Sequence, residues 1–154
     1  MCYTASTREG ATCIALASTR DWRRWTDHGP ILVGPATGYE PRFAGGHVQG
    51  SFESANLSFR CGRWFLIFHA AIRNVGRGTW AVTSDRMDAF SMAGMWKFWD
   101  EGGCVEVVRH RGDRSLLAGL INGCLRFAEV DWSETRPTAR TVKDRETLER
   151  WRAI

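Results

Sequence analysis

Ser51-Phe52-Glu53-Ser54-Ala55-Asn56-Leu57-Ser58-Phe59-Arg60-Cys61-Gly62-Arg63-Trp64-Phe65-Leu66-Ile67-Phe68-His69 is the stretch from which the fold can be read. Ala55 to Arg60 reads as a strand, Cys61-Gly62-Arg63 as a tight turn, and Trp64 to Ala70 as a second, strongly apolar strand. Glu53 stands just before this hairpin, where a carboxylate can face a concave pocket rather than the outer surface. That makes Glu53 the best placed side chain in the sequence for acid/base chemistry.

Outward from this hairpin, short strands separated by Gly-containing turns dominate. Cys2 to Ser6 and Cys13 to Ser18 form an expected hairpin pair around Arg8-Glu9-Gly10. Asp21 to Trp25 reads as a turn or a single helical turn, followed by a short strand at Pro30 to Val33. Gly34 to Gly50, rich in Gly and Pro, reads as a long loop. A further strand, Thr79 to Ser84, follows the turn Asn74-Val75-Gly76-Arg77-Gly78. Val105 to His110 and Ser115 to Gly119 then flank Arg111-Gly112-Asp113, and Cys124 to Val130 follows Asn122-Gly123, a strong hairpin signal.

Aligning Gly62 with Gly112 places Leu57 on Val107 and Leu66 on Leu116, a repeat of about 50 residues. That period fits a β-propeller blade of four antiparallel strands. The expected fold is therefore all-β, a partial propeller of about two and a half blades. One domain covers 1–154, with blades over 1–132 and a charged tail at 133–154, in which Leu148, Trp151 and Ile154 have helix-like spacing. A compact β-sandwich is the structural alternative.

Composition narrows the function classes. The 154 residues are 44% hydrophobic and 25% charged, the balance of an ordinary globular domain with a real core. Eight Trp and eight Phe against two Tyr suit both all-β cores and sugar-stacking surfaces. The net charge of +4 comes almost entirely from scattered Arg, and only Arg20 to Arg24 approaches a basic run, so no nucleic-acid partner is expected. Five Cys, an odd number without C-x-x-C spacing, read as reduced thiols within apolar strands, and a cytoplasmic setting follows. No secretory leader or membrane span is evident, so no membrane partner is expected.

Cys2-Tyr3-Thr4-Ala5, followed by Ile14-Ala15-Leu16-Ala17-Ser18-Thr19-Arg20-Asp21-Trp22-Arg23-Arg24-Trp25, resembles the signature of five-bladed β-propeller glycosidases of the glycoside hydrolase family 43 and family 32 type. Gly62-Arg63-Trp64-Phe65-Leu66-Ile67-Phe68 is similar to the strand that follows their catalytic glutamate, and Val105 to Val108 through Cys124 to Trp132 is similar to a later blade. The resemblance implies a carbohydrate substrate or ligand and places Glu53 at the general-acid position. It departs from the family in two respects. Ser54-Ala55 follows Glu53 in place of Gly-Pro or Cys-Pro, and no Arg-Asp-Pro occurs in the chain. Two of the three carboxylates that such enzymes use are thus missing, whereas glycoside hydrolysis ordinarily needs two, about 5–9.5 Å apart.

The expected function is binding of, or action on, a glycoside. The alternative is a non-catalytic carbohydrate-binding module, or one that self-assembles by pairing open sheet edges into a homo-oligomer. Glu53 is the catalytic candidate, and His47, His69 and Glu106 are the substrate-binding candidates. His69 ends an apolar strand, where a satisfied core histidine is the competing reading. His47 lies in a Gly-rich loop, and Glu106 competes with a structural ion pair. Trp22 and Trp25 are expected to pack the outer turn, and Trp80 and Trp132 the core. Trp96 and Trp99 are the better sugar-stacking candidates, with core or interface packing the favoured reading. No cofactor is expected, and no His, Cys or carboxylate cluster has metal spacing.

Overall fold

The computed structural model describes residues 1–8, 11–34, 52–72 and 76–152. Most of the expected long loop, with His47, lies outside the described residues, as do the turn tips Glu9-Gly10 and Asn74-Val75 and the terminal Ile154.

Among the described residues, eleven strands form three antiparallel meanders. The first contains β1 (Cys2–Ser6), β2 (Thr12–Thr19) and β3 (Trp25–Val33). The second contains β4 (Phe52–Arg60), β5 (Arg63–Ile72), β6 (Gly76–Ser84) and β7 (Trp96–Trp99). The third contains β8 (Gly103–Arg111), β9 (Arg114–Ile121), β10 (Cys124–Asp131) and the two-residue β11 (Arg140–Thr141). Each sheet keeps its strands in chain order, so each is blade-like, and the chain is an all-β, partial propeller-like fold.

The sheets follow from local chemistry. Gly62 and Gly112 sit at φ 77° and 58°, and Asn122-Gly123 at 49° and 77°, the left-handed backbone that tight hairpins require. The repeat extends into the strands. Ser54 and Cys104, at the same offset as Gly62 and Gly112, have φ 53° and 52°, and each lies in the bulge of an inner strand.

The middle sheet explains why Trp64 to Ala70 reads as an unbroken apolar run: both of its faces are buried. Alternation sends Phe65, Ile67 and Ala81 to one face, where they join Val105, Leu117, Ala128 and Val130 of the third sheet. Leu66, Phe68, Ala70, Trp80 and Val82 take the other face and meet Ile14, Leu16, Ile31 and Leu32 of the first sheet. The inner strands touch in series. Thr4 Oγ1 of β1 donates to the Phe52 carbonyl of β4 at 2.8 Å, and Arg60 of β4 bonds His110 of β8.

Beyond the third sheet, helix α1 (Arg145–Arg152) opens on Asp144, whose carboxylate accepts the Thr147 N–H at 2.7 Å. It docks by Trp151, which donates to Glu129 Oε1 at 2.7 Å.

Trp80 and Trp132 are core residues as expected, and the core reading also holds for Trp96 and Trp99, whereas Trp22 and Trp25 depart from theirs. Trp96 and Trp99 are buried rather than offered to a sugar: their indole N–H groups donate to the Pro137 carbonyl and to Thr141 Oγ1. Trp99 fits because Gly102 and Gly119 lack side chains; a Cβ there would fall 1.8 and 2.6 Å from its ring. Trp22 and Trp25, expected to pack the turn, are 80% and 40% exposed. All five Cys are free thiols, yet only Cys13 is buried, and Cys61, Cys104 and Cys124 are exposed. No helix among the described residues is long and apolar enough to cross a membrane.

Candidate functional site

The bulge in β4 sets the site. Arg60 faces Arg63 and Asn56 faces Ile67 across the β4–β5 hairpin. Continued unbroken, that register would put Glu53 opposite Ala70 and turn it toward the core shared with the first sheet. The irregularity between Glu53 and Asn56 shifts the pairing by one residue and sets Glu53 opposite His69. Directly opposed residues share a face. Glu53 therefore lies on the side of the sheet that faces β8, exposed, beside the buried imidazole.

His69 is 8% exposed, and its hydrogen bonds fix its tautomer. Arg77 Nε, from the neighbouring β6, approaches His69 Nε2 at 3.1 Å. A guanidinium can only donate, so Nε2 accepts and the proton of the neutral ring resides on Nδ1. That Nδ1–H is buried and has no acceptor among the described residues. Burial, and then the Arg77 charge, hold the imidazole below its ordinary pKa; Glu53 opposes them more weakly. His69 is consequently a neutral donor at physiological pH. Its seat depends on Gly103, where a Cβ would come within 3.3 Å of Nδ1.

A cleft of about 290 Å³ opens beside this ring, lined also by Arg77, Asp100, Glu101 and Cys104. Its far wall is the loop between β7 and β8, pinned by a hydrogen bond from buried Thr79 Oγ1 to the Gly102 carbonyl. Asp100 lies 3.5 Å from Lys97 Nζ, and Glu101 Oε2 accepts from Thr141 Oγ1 at 2.8 Å. The cleft thus brings the Arg77 guanidinium and the rim of the His69 ring together with the Asp100 and Glu101 carboxylates, while His69 Nδ1 itself stays beneath the surface.

Of the sequence-derived candidates, the fold brings Glu53 and His69 together and leaves Glu106 apart. Glu106 pairs with Ala118 and alternates with the inward-packed Val105, so it belongs to the side of the third sheet that faces away from the middle sheet. His47 lies outside the described residues. Sequence reasoning did not single out Arg77, Asp100 or Glu101. The repeat held a signal for them: its offset maps Gly103 onto Glu53 and so puts the preceding Asp100-Glu101 at the same end of the sheets.

A second polar cluster lies at the opposite end of the hairpins. His110 Nδ1 is 2.6 Å from Ser115 Oγ, and Arg60 bonds His110 Nε2. The geometry has the outline of a Ser–His dyad, but the proton runs the wrong way. Arg60 must donate, which puts the His110 proton on Nδ1, so the ring donates to Ser115 instead of accepting from it. Ser115 also accepts the Trp132 indole N–H at 2.7 Å and is fully buried, so the cluster is a structural tie between β8, β9 and Trp132.

Among the described residues, no group of three or more His, Cys, Asp or Glu could hold a metal ion. No protein-family model matches this chain, and no curated protein matches it.

Proposed function

We propose that this protein binds a neutral carbohydrate in the cleft beside His69, and that the chain by itself binds glycosides rather than cleaving them. The carrying observation is the meeting of the Arg77 guanidinium with the Asp100 and Glu101 carboxylates in one cleft beside the His69 ring. A vicinal diol both donates and accepts, so it satisfies both walls at once. A simple anion would meet the two carboxylates, and a simple cation would meet Arg77. The likeness of the hairpin motifs to propeller glycosidases supports the same ligand class. Against hydrolysis stands the chemistry at Glu53, whose cross-strand partner is an imidazole instead of the second carboxylate that glycoside cleavage uses.

Calorimetry with a panel of neutral methyl glycosides and short oligosaccharides tests the reading, alongside aryl-glycoside hydrolysis by the wild type and Glu53→Gln. Binding that Arg77→Ala weakens about tenfold, the loss of one charge-assisted hydrogen bond, is the expected result. Hydrolysis abolished by Glu53→Gln would instead make Glu53 a general acid. Absence of binding to every sugar would remove the carbohydrate reading.

A further inference from the structure

The turn between β2 and β3 presents the most exposed tryptophan in the structure on a frame built to hold it still. Thr19 Oγ1 accepts the N–H groups of Asp21 and Trp22 at 3.3 and 3.0 Å. Asp21 Oδ1 accepts those of Arg23 and Arg24, each at 2.9 Å. Those two bonds, Arg24 first, hold the Asp21 carboxyl below its usual range, and they turn its charge inward to the turn's own backbone. Trp22 crowns the frame at φ 62°, 80% exposed, with its ring 5.7 Å from that of Trp25 in an edge-to-face contact.

Folding does not explain this residue. A left-handed backbone favours Gly or Asn, and a β-carbon there is strained by about 1 kcal/mol. The strain is not offset by burial, because the indole packs on little besides Trp25. Arg20, Arg23 and Arg24 surround the same turn, and among the described residues none of them is in an ion pair. Beside them runs a groove of about 560 Å³ lined by Ser18, Thr19, Arg20, Asp21, Arg24, Thr26 and His28, in which Ser18 Oγ lies 2.7 Å from His28 Nε2. A rigid turn, a flat aromatic face held in the open, guanidiniums and a hydroxyl-rich groove occur together on one corner.

We infer that this corner is a binding surface, separate from the cleft at His69, for an oxyanion-bearing saccharide such as a sulfated sugar. A sugar ring stacks on the indole, its sulfate pairs with Arg20 or Arg24, and its free hydroxyls meet Ser18, Thr26 and His28. Single-stranded nucleic acid fits less well, because it calls for a long basic track with successive stacking platforms. Here the cations and the open rings are confined to one turn.

Calorimetry on the full chain with a sulfated disaccharide, its desulfated counterpart and a single-stranded oligothymidine tests the inference. The sulfated disaccharide is expected to bind tightest, and to weaken as salt is raised. Arg20→Ala with Arg24→Ala should lower its affinity at least tenfold, about the effect of one charge-assisted contact. Trp22→Gly should lower it about tenfold through lost stacking while leaving Tm unchanged or raising it by about 2–4 °C as the backbone strain is relieved. His69→Leu should leave this binding intact, so failure of the cleft reading does not count against it. Equal affinity for the desulfated sugar, tighter binding of the oligothymidine, or a Trp22→Gly variant that binds like the wild type would each overturn it.

Discussion

Replacing His69 by Leu should stabilise the protein, an outcome that separates an unsatisfied buried imidazole from a satisfied core histidine. Leu has nearly the volume of the imidazole, so packing against Gly103 is conserved. In the wild type the Nδ1–H is buried without an acceptor among the described residues, a burden of about 1–3 kcal/mol. The substitution removes it. The loss is the 3.1 Å hydrogen bond from Arg77, about 0.5–1.5 kcal/mol and at the low end because Arg77 is exposed and rehydrates. The balance favours Leu by about 1 kcal/mol, or a Tm rise of about 2–4 °C for a chain of this size.

Acid should widen the gap. The folded imidazole is held below its ordinary value of 6.5, so on acidification the unfolded chain takes the proton first. Wild-type stability is therefore level above that value and falls as pH drops through it toward the folded pKa. The fall is at most about 1.4 kcal/mol per pH unit for this one group. His110 is depressed in the same direction by burial and then by Arg60, but it is common to both proteins and cancels in the difference. Urea unfolding of wild type and variant at pH 7.5, 6.5 and 5.5 measures both effects. A variant destabilised by more than about 1 kcal/mol at pH 7.5 would mean that His69 is a satisfied core residue. A gap that stays constant with pH would refute the assignment of a depressed imidazole.

Two further outcomes test the packing. Gly119→Ala puts a Cβ 2.6 Å from the Trp99 ring and 3.0 Å from the Gly103 carbonyl, so the urea midpoint should fall by the equivalent of about 2–3 kcal/mol, whereas a neutral result would mean that Trp99 is free to move. Ser115→Ala strands the buried Trp132 indole N–H at a cost of about 1–3 kcal/mol, and adding Trp132→Phe should recover part of that loss in a double-mutant cycle.

The hairpins were legible because their determinants are local. Gly62, Gly112 and Asn122-Gly123 occupy left-handed turns that few other residues tolerate, and each expected strand between them falls within one to three residues of its observed limits. The short strand β7 was missed, because Met95-Trp96-Lys97-Phe98-Trp99 holds no turn signal or clean alternation to distinguish it from an aromatic surface. The exposure of Trp22 was misread for a related reason. Trp22 and Trp99 are the same residue type in short aromatic segments. What separates them is Gly102 and Gly119, which make room for one indole, and the self-satisfied Thr19–Asp21 turn, which holds the other in solvent.

The all-β class, the blade-sized repeat and the strongly apolar strand at Trp64 to Ala70 were legible in the chain alone, since turn conformation and side-chain alternation act over a few residues. Which side chains meet depends on how the strands pair and the sheets pack. Glu53 reaches His69 because a single bulge, at a serine and not at a glycine, moves the register by one residue and so changes the face to which Glu53 belongs. Arg77 joins His69 from the neighbouring strand β6, and Asp100 and Glu101 reach the same cleft from the loop between β7 and β8. Faces are set by register, and register is a property of paired strands rather than of either strand alone.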